Sequence, residues 1–377
     1  MLNMLFVGDV AVQGDGQLAL SPEIVEKFKE YDIRVCNFEG AAGDIEKSSP
    51  ASKAGPLLLQ SDESYTVVKQ LGFDVFGLAN NHILDFGEKA LDTTVRNLES
   101  MGGSVIGASC GEKNAYEPYV FNADGVTVAL FSAAENSFGT ADAQKRCGHA
   151  HLFSRELLLQ IRKYKKVCDK IILLAHGGLE NLHIPMPEWM DAYRNFIDFG
   201  VDVVIGHHPH VVQGWERYGD GLIFYSLGNF LWQRRKQSFV DLKTMMVGLR
   251  IEGAEIAYEV IPVKVENNRL LLNENDEEYE KELNGYCDVL KEENKDQLVE
   301  TVDRFCLDLY RGPFKQYIFN TCGLTVVKGV KEYIKTIVKT AFFKQTVNDN
   351  FVYHNHAVET NNWVISRAVR RLREKRD

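Results

Sequence analysis

A formal charge of −10 over 377 residues excludes a general nucleic-acid or anionic-membrane binder, whose footprint would be basic. Apolar residues make up 45% of the chain, ample for a core, yet no run approaches the ~18 apolar residues of a membrane span. At ~100–200 residues per domain, the length suits one large domain with an appendage.

The first apolar run, Leu5-Phe6-Val7-Gly8, ends on Asp9 and reads as a strand with a carboxylate at its tip. It begins at about Met4, which leaves no room for a charged n-region and an apolar h-region. Seven cysteines, an odd number with no C-x-x-C pair, predict reduced thiols in a cytoplasmic protein. A helix is expected from Pro22 to Glu30, then a strand from Ile33 to Phe38 that holds Cys36 in the core and leads through Asn37 to Glu39. The polar stretch from Ala41 to Pro56 reads as a loop near Glu39, suited to substrate contacts. Another strand, Phe73 to Ala79, delivers Asn80, Asn81 and His82. In the helix predicted from Gly87 to Met101, Leu91, Val95 and Leu98 share one face.

Strand Val126 to Ser132 leads to Glu135 and Asn136, and helix Ser154 to Lys166 precedes strand Lys170 to Ala175, which ends in His176. After a helix from Met190 to Phe199, the run Val201 to Gly206 stands directly before His207, His208, Pro209 and His210, and Leu222 to Ser226 is a further β-rich run. This alternation predicts a layered α/β domain over 1–263. Past Val263 an acidic stretch, Asn273 to Glu300, has helical character, and the end from Ser366 to Asp377 is basic. The two are expected to pair, so 264–377 reads as a mainly helical C-terminal extension.

Ligand-type residues thus follow one strand after another. In a parallel or mixed sheet such ends share a rim, where residues distant in sequence converge, and neutral imidazole is the commonest metal ligand. A lone Asp or Asn there is ordinarily a cap or turn former, and the pairs His149/His151 and His354/His356, outside the series, are expected in surface or loop roles. The repetition is what points to a metal centre. Mixed nitrogen and oxygen donors suit Mn, Fe or Zn, and the lack of thiolate spacing argues against a structural zinc cluster.

In chain order, Val7-Gly8-Asp9, Asn37-Phe38-Glu39-Gly40, Asn80-Asn81-His82-Ile83-Leu84-Asp85-Phe86-Gly87, His176-Gly177-Gly178-Leu179-Glu180, Gly206-His207-His208-Pro209-His210 and Ser226-Leu227-Gly228-Asn229-Phe230 form a motif series. The series resembles the CapA-type capsule-synthesis proteins of poly-γ-glutamate biosynthesis, within the calcineurin-like metallophosphoesterase superfamily. The resemblance spans about Met4 to Phe230. It implies a four-layer α-β-β-α sandwich with two divalent metal ions in a dinuclear centre at the strand ends. Asp9 would bind one metal and Glu39 bridge both; Asn81, His176 and His208 would bind the second, and His210 return to the first. His82 would be the catalytic imidazole, oriented by Asp85. Asn80, Glu135, Asn136, Glu180 and His207 are the candidate substrate contacts. His207 also competes with His208 for the inward ligand position, and the His-Pro-His spacing favours His208. Where the wider superfamily often has a His two residues after the first Asp, this chain has Ala11, which leaves one metal site short of a protein ligand.

The resemblance implies a metal-dependent phosphoesterase-type hydrolase acting on a phosphoester or polymer substrate. The competing reading, favoured by Ala11, is a metal-binding accessory protein of capsule or polyglutamate synthesis without phosphatase turnover.

Overall fold

Strand β1 (Leu2–Val12) is buried along nearly its whole length, as a strand covered on both faces must be. The computed structural model describes residues 1–15, 17–44, 48–53, 55–111, 114–141, 147–314 and 357–374. They form two compact units, one of Met1–Ala51 with Pro56–Lys295 and one of Ser52–Gly55 with Asp296–Asp377.

In the first unit β1 is followed by β2 (Ala19–Leu20), α1 (Pro22–Lys29), β3 (Ile33–Phe38), α2 (Glu63–Leu71), β4 (Val75–Gly77), α3 (Gly87–Ser100) and β5 (Ser104–Ile106). Next come β6 (Ala108–Ser109), β7 (Tyr119–Ala123), β8 (Val126–Ala134), β9 (Gly148–His149), α4 (Arg155–Tyr164), β10 (Lys170–His176), α5 (Pro187–Asp198) and β11 (Val203–His207). The unit closes with β12 (Trp215–Tyr218), β13 (Gly221–Phe224), β14 (Asn229–Gln233), β15 (Leu242–Glu252), β16 (Glu255–Glu266), β17 (Arg269–Leu272) and α6 (Glu277–Asp288). Serine caps start α1 and α4: Ser21 Oγ accepts from Ile24 N at 3.3 Å and Ser154 Oγ from Leu157 N at 3.1 Å. Helix α5 begins at Pro187, ahead of the expected Met190, because proline is pre-set for a first helical turn.

One sheet runs β2-β17-β16-β15-β1-β3-β4-β5, with β14 also paired to β1; a second runs β12-β13-β11-β10-β8-β7. Strands β1, β3, β4 and β5 are mutually parallel, and so are β8, β10, β11 and β13, so within each sheet the chemistry-bearing ends point one way. Between the sheets Met4, Phe6, Val35 and Val75 share an apolar cluster with Val128, Leu130, Ile172, Leu174, Val203 and Ile205. On the outer face of the first sheet Leu5, Cys36, Phe38 and Phe76 cluster with Ile24, Phe28, Val68, Leu91 and Leu98 from α1, α2 and α3. Beyond the second sheet Phe131 meets Tyr164 of α4, and Tyr225 stacks on Tyr193 of α5. This is the four-layer α-β-β-α order that the motifs implied.

Strand character runs past Val263. Strands β15 and β16 pair antiparallel over their lengths and β17 joins β16, with Ile261, Val263 and Val265 buried at every second position. In the second unit α7 (Lys295–Leu309) and α8 (Glu359–Glu374) are joined by a buried ion pair, Arg367 Nη1 donating to Asp303 Oδ1 at 2.6 Å, with Arg371 3.8 Å from Glu300. The basic end thus pairs with α7 and touches the acidic stretch Asn273 to Glu300 at its last residue, Glu300; its buried partner, Asp303, lies beyond that stretch. Lys375 and Arg376, like His354 and His356, lie outside the described residues.

The cysteine expectation needs a correction. Strand β6 pairs with β9 so that Ser109 faces Gly148, and the next step of that register sets Cys110 against Cys147 in a disulfide, with Cα atoms 4.1 Å apart. Thirty-seven residues separate the two in sequence, so no spacing signal announces the pair. Among the described residues Cys36, Cys168, Cys287 and Cys306 are not in disulfides. Among the described residues no helix is long and apolar enough to cross a membrane.

Candidate metal centre

The site begins at a glycine. A Cβ on Gly8 would stand 1.9 Å from Gly228 O, so only glycine lets β1 approach the segment before β14 this closely. That approach gives Asp9 N a hydrogen bond to Gly228 O at 2.9 Å and aligns Asp9 with Asn229. The Asp9 carboxylate is shut off from solvent. Its Oδ1 accepts from Asn37 Nδ2 at 2.8 Å and lies 3.1 Å from His207 Nδ1; its Oδ2 accepts from His208 N at 3.2 Å and lies 3.7 Å from His210 Nδ1. Burial opposes ionisation here, but the bond to His207, the charges of His207 and His210, and the bond from Asn37 outweigh it and hold Asp9 below its ordinary pKa.

Across the rim His176 Nε2 lies 3.2 Å from Asn81 Oδ1 and 3.2 Å from His208 Nδ1. Burial, then the neighbouring imidazoles, push His176 well below its ordinary pKa, and burial pushes His208 down to about 4. Both rings are therefore neutral at pH 7, with lone pairs available to a metal. The turn that carries His208 and His210 is strained: their φ angles are 96° and 62°, a left-handed conformation that costs an L-residue about 1–2 kcal/mol. Such strain, held by its surroundings, is common where side chains must be aimed.

Asp9, Glu39 and His210 each present a ligand atom, all within 4.8 Å of one another, and so do Glu180, His208 and His210. Glu39 is fully buried, and His82 Nε2 lies 3.9 Å from its Oε1. His82 Nδ1 is 2.6 Å from Asp85 Oδ2, which also accepts from Leu58 N at 2.8 Å. The imidazole is thus anchored at one nitrogen and turned toward Glu39 at the other. The donors fit divalent cations: carboxylate and amide oxygens with neutral imidazole nitrogens, and no thiolate among them.

The candidate substrate contacts divide. Glu135 Oε1 lies 3.6 Å from His208 Nε2, Asn136 follows it half-buried, and Glu180 is exposed beside His208 and His210. Asn80 faces backbone rather than the site: its Oδ1 accepts from Gly40 N and His82 N, and its Nδ2 donates to Phe38 O and Leu78 O. It braces the turn that presents Asn81 and His82. His207 is 1% exposed and bonded to Asp9, which places it behind that carboxylate as its support. Of the pair His207 and His208, it is His208 that faces His176. His149, outside the series, is buried and bonded to Ser137 Oγ at 2.7 Å. Three residues were missed from the sequence as members of the site. Asn37 joins Asp9 to His176 Nδ1, 3.3 Å away; Asn229 Oδ1 lies 3.0 Å from His210 Nδ1; and Trp232 sets its ring edge-on to His210 with centroids 4.9 Å apart. The two amides stand in the motif series at strand termini, a signal the sequence carries; Trp232 has none.

The family model for the bacterial capsule synthesis protein PGA_cap matches residues 3–234. The chain belongs to this family. It is 31% identical to the capsule biosynthesis protein CapA of Bacillus anthracis over 214 residues, covering 55% of this chain and 52% of that protein. It thus spans about half the length of that relative. To the PGA biosynthesis protein CapA of Bacillus subtilis (strain 168) it is 26% identical over 276 residues, 70% of this chain and 72% of that one. Among solved structures it is similar to a putative 5′-nucleotidase from Staphylococcus aureus, with 17% identity, 75% of this chain and 58% of that chain covered, and a TM-score of 0.45. The stretch matched to the capsule-synthesis family contains every strand-end donor from Asp9 to His210.

Proposed function

We propose that this member of the capsule-synthesis family is a metal-dependent, phosphoesterase-type hydrolase with a dinuclear centre. Asp9 and His210 hold one cation, Asn81, His176 and His208 the other, and Glu39 lies between. One observation carries the reading: donors from the ends of β1, β3, β4, β10 and β11 meet in groups spaced from 3.2 to 4.8 Å, beside an imidazole whose far nitrogen is fixed on Asp85.

The donor set would suit two divalent cations such as Mn, Fe or Zn, which when bound would supply a nucleophile from water at neutral pH and neutralise charge on phosphoryl oxygens. The chain's own groups do the rest. Asp85 accepts the Nδ1 proton of His82 and so fixes the ring; in its doubly protonated form, which the Asp85 carboxylate favours, the ring carries a second proton on Nε2 and would give it to the leaving oxygen as the ester bond breaks, returning to the neutral imidazole. Asn37 and His207 keep Asp9 ionised and aimed, while Glu135, Asn136 and Glu180 line the approach for a phosphoester or polymer substrate.

The test is turnover of bis(p-nitrophenyl) phosphate and p-nitrophenyl phosphate by purified protein with added Mn²⁺, with metal content measured in parallel. Turnover abolished in Asp9→Ala and His208→Ala supports the reading. Bound metal with no turnover of either ester would move the protein to the second reading, a metal-binding accessory in polymer synthesis, which the donor-free side chain of Ala11 favours.

A further inference from the structure

Asp9, Glu39 and His210 bring three donor residues to the first cation of the proposed centre, fewer than the four of a closed tetrahedral site. Strand β1 has no more to offer. Ala11, two residues beyond Asp9 and on the same face, ends in a methyl group.

The neighbouring strand supplies a donor. Register between β1 and β14 slips after Asp9, so Asn229 pairs with Asp9 while Trp232, three residues on, pairs with Ala11. Such a bulge inserts one residue, and here it keeps Asn229 and Trp232 on the face that carries Asp9 and Ala11. Asn229 Oδ1 lies 3.0 Å from His210 Nδ1, and that nitrogen lies 3.7 Å from Asp9 Oδ2. Donor atoms bound at about 2.1 Å to one cation stand ~3.0 Å apart along an octahedral edge and ~3.4 Å along a tetrahedral one. The 3.0 Å spacing matches an octahedral edge and equally a hydrogen bond from His210 Nδ1, and the 3.7 Å spacing is somewhat longer than either edge, so the three groups stand around one point without yet closing on it.

We infer that Asn229 is a ligand of the first cation, its amide oxygen joining Asp9, Glu39 and His210; the inference rests on the metal centre proposed above. The backbone holds it for that task. Asn229 N donates to His210 O at 3.3 Å, and Gly228 N donates to Ser226 Oγ at 3.1 Å while Gly228 O accepts from Asp9 N. Trp232, its ring against His210, occupies the place opposite Ala11 and limits how far the imidazole can swing. A neutral amide oxygen adds a donor without adding charge, so the first cation keeps the charge balance set by Asp9 and Glu39.

The experiment is Mn²⁺ binding by calorimetry, with metal content by elemental analysis, in the chelator-stripped 377-residue chain and its variants. His210→Ala marks the first cation and His176→Ala the second. Asn229→Ala is expected to weaken the cation marked by His210→Ala at least 10-fold and to leave the other within 2-fold, while Asn229→Asp, which keeps an oxygen donor, retains or tightens it. Thermal melting of the stripped variants reports folding separately, and Asn229→Asp serves if Asn229→Ala melts early. Unchanged Mn²⁺ affinity in a folded Asn229→Ala overturns the assignment alone, as does an Asn229→Asp that binds no better than alanine. A wild-type chain that binds no Mn²⁺, Zn²⁺ or Fe²⁺ overturns the metal centre and the assignment together.

Discussion

Replacing Gly8 with alanine tests how the site is assembled. The new Cβ would fall 1.9 Å from Gly228 O, where ordinary contact requires more than 3 Å, and that oxygen belongs to backbone tied down by Asp9 N and Ser226 Oγ. The strands must part by over an ångström. Overpacking of this kind costs about 1–3 kcal/mol, and losing the bond from Asp9 N to Gly228 O adds about 1 kcal/mol. A total of about 3 kcal/mol lowers the melting temperature of a unit this large by roughly 5 °C. Moving β14 off β1 also separates Asp9 from Asn229, so Mn²⁺ affinity falls with stability. The control is Gly43→Ala, where an added Cβ meets no atom within 4 Å and neither property should change. Thermal melting and Mn²⁺ calorimetry on both variants decide it. A Gly8→Ala protein that melts within about 1 °C of wild type and binds Mn²⁺ normally would refute the claim that this close approach builds the site.

Asp85→Asn removes the charged acceptor from His82 Nδ1; turnover is expected to fall about 100-fold or more with metal content unchanged, and loss of metal instead would make Asp85 a structural residue. Asp276 caps α6 and is held at a pKa of about 2, below its ordinary 3.8, by Lys243, by Tyr279 N and by Asn273. Its contribution is complete above about pH 4 and is lost as pH falls toward 2, so acid-unfolding curves of Asp276→Asn should be shallower than wild type in that window; parallel curves would sink the point. In the second unit Asp303→Ala removes a buried carboxylate partner of Arg367 at a cost of up to about 3 kcal/mol, while Asp303→Leu with Arg367→Met recovers most of it. Hydrogen exchange across α7 and α8 reads both, and equal loss in the single and double variants would show that the pair is not the cause.

The amino-acid sequence by itself determined which residues stand at strand ends. Apolar runs that close on Asp9, Glu39, Asn81, His176 and His208 are local patterns, and a β-branched run followed by a polar tip is legible without any partner. The alternation of strands and amphipathic helices gave a layered α/β domain, and the order of its four layers came from the family resemblance of the motif series. What local pattern cannot hold is the direction of each side chain. Asn80 and Asn81 are chemically the same and adjacent, yet one spends all its hydrogen bonds on backbone and the other faces His176. His207 and His208 divide likewise between supporting Asp9 and facing the site. These choices depend on which strand lies alongside and in what register, a property of the assembled sheets. The same holds for Cys110 with Cys147, matched through the β6–β9 register, and for Asn229, brought level with Asp9 by a one-residue slip between β1 and β14. Sequence fixes the chemistry available at the rim; only the packing of two sheets decides which of those groups face one another, because that requires pairings between residues up to about two hundred positions apart.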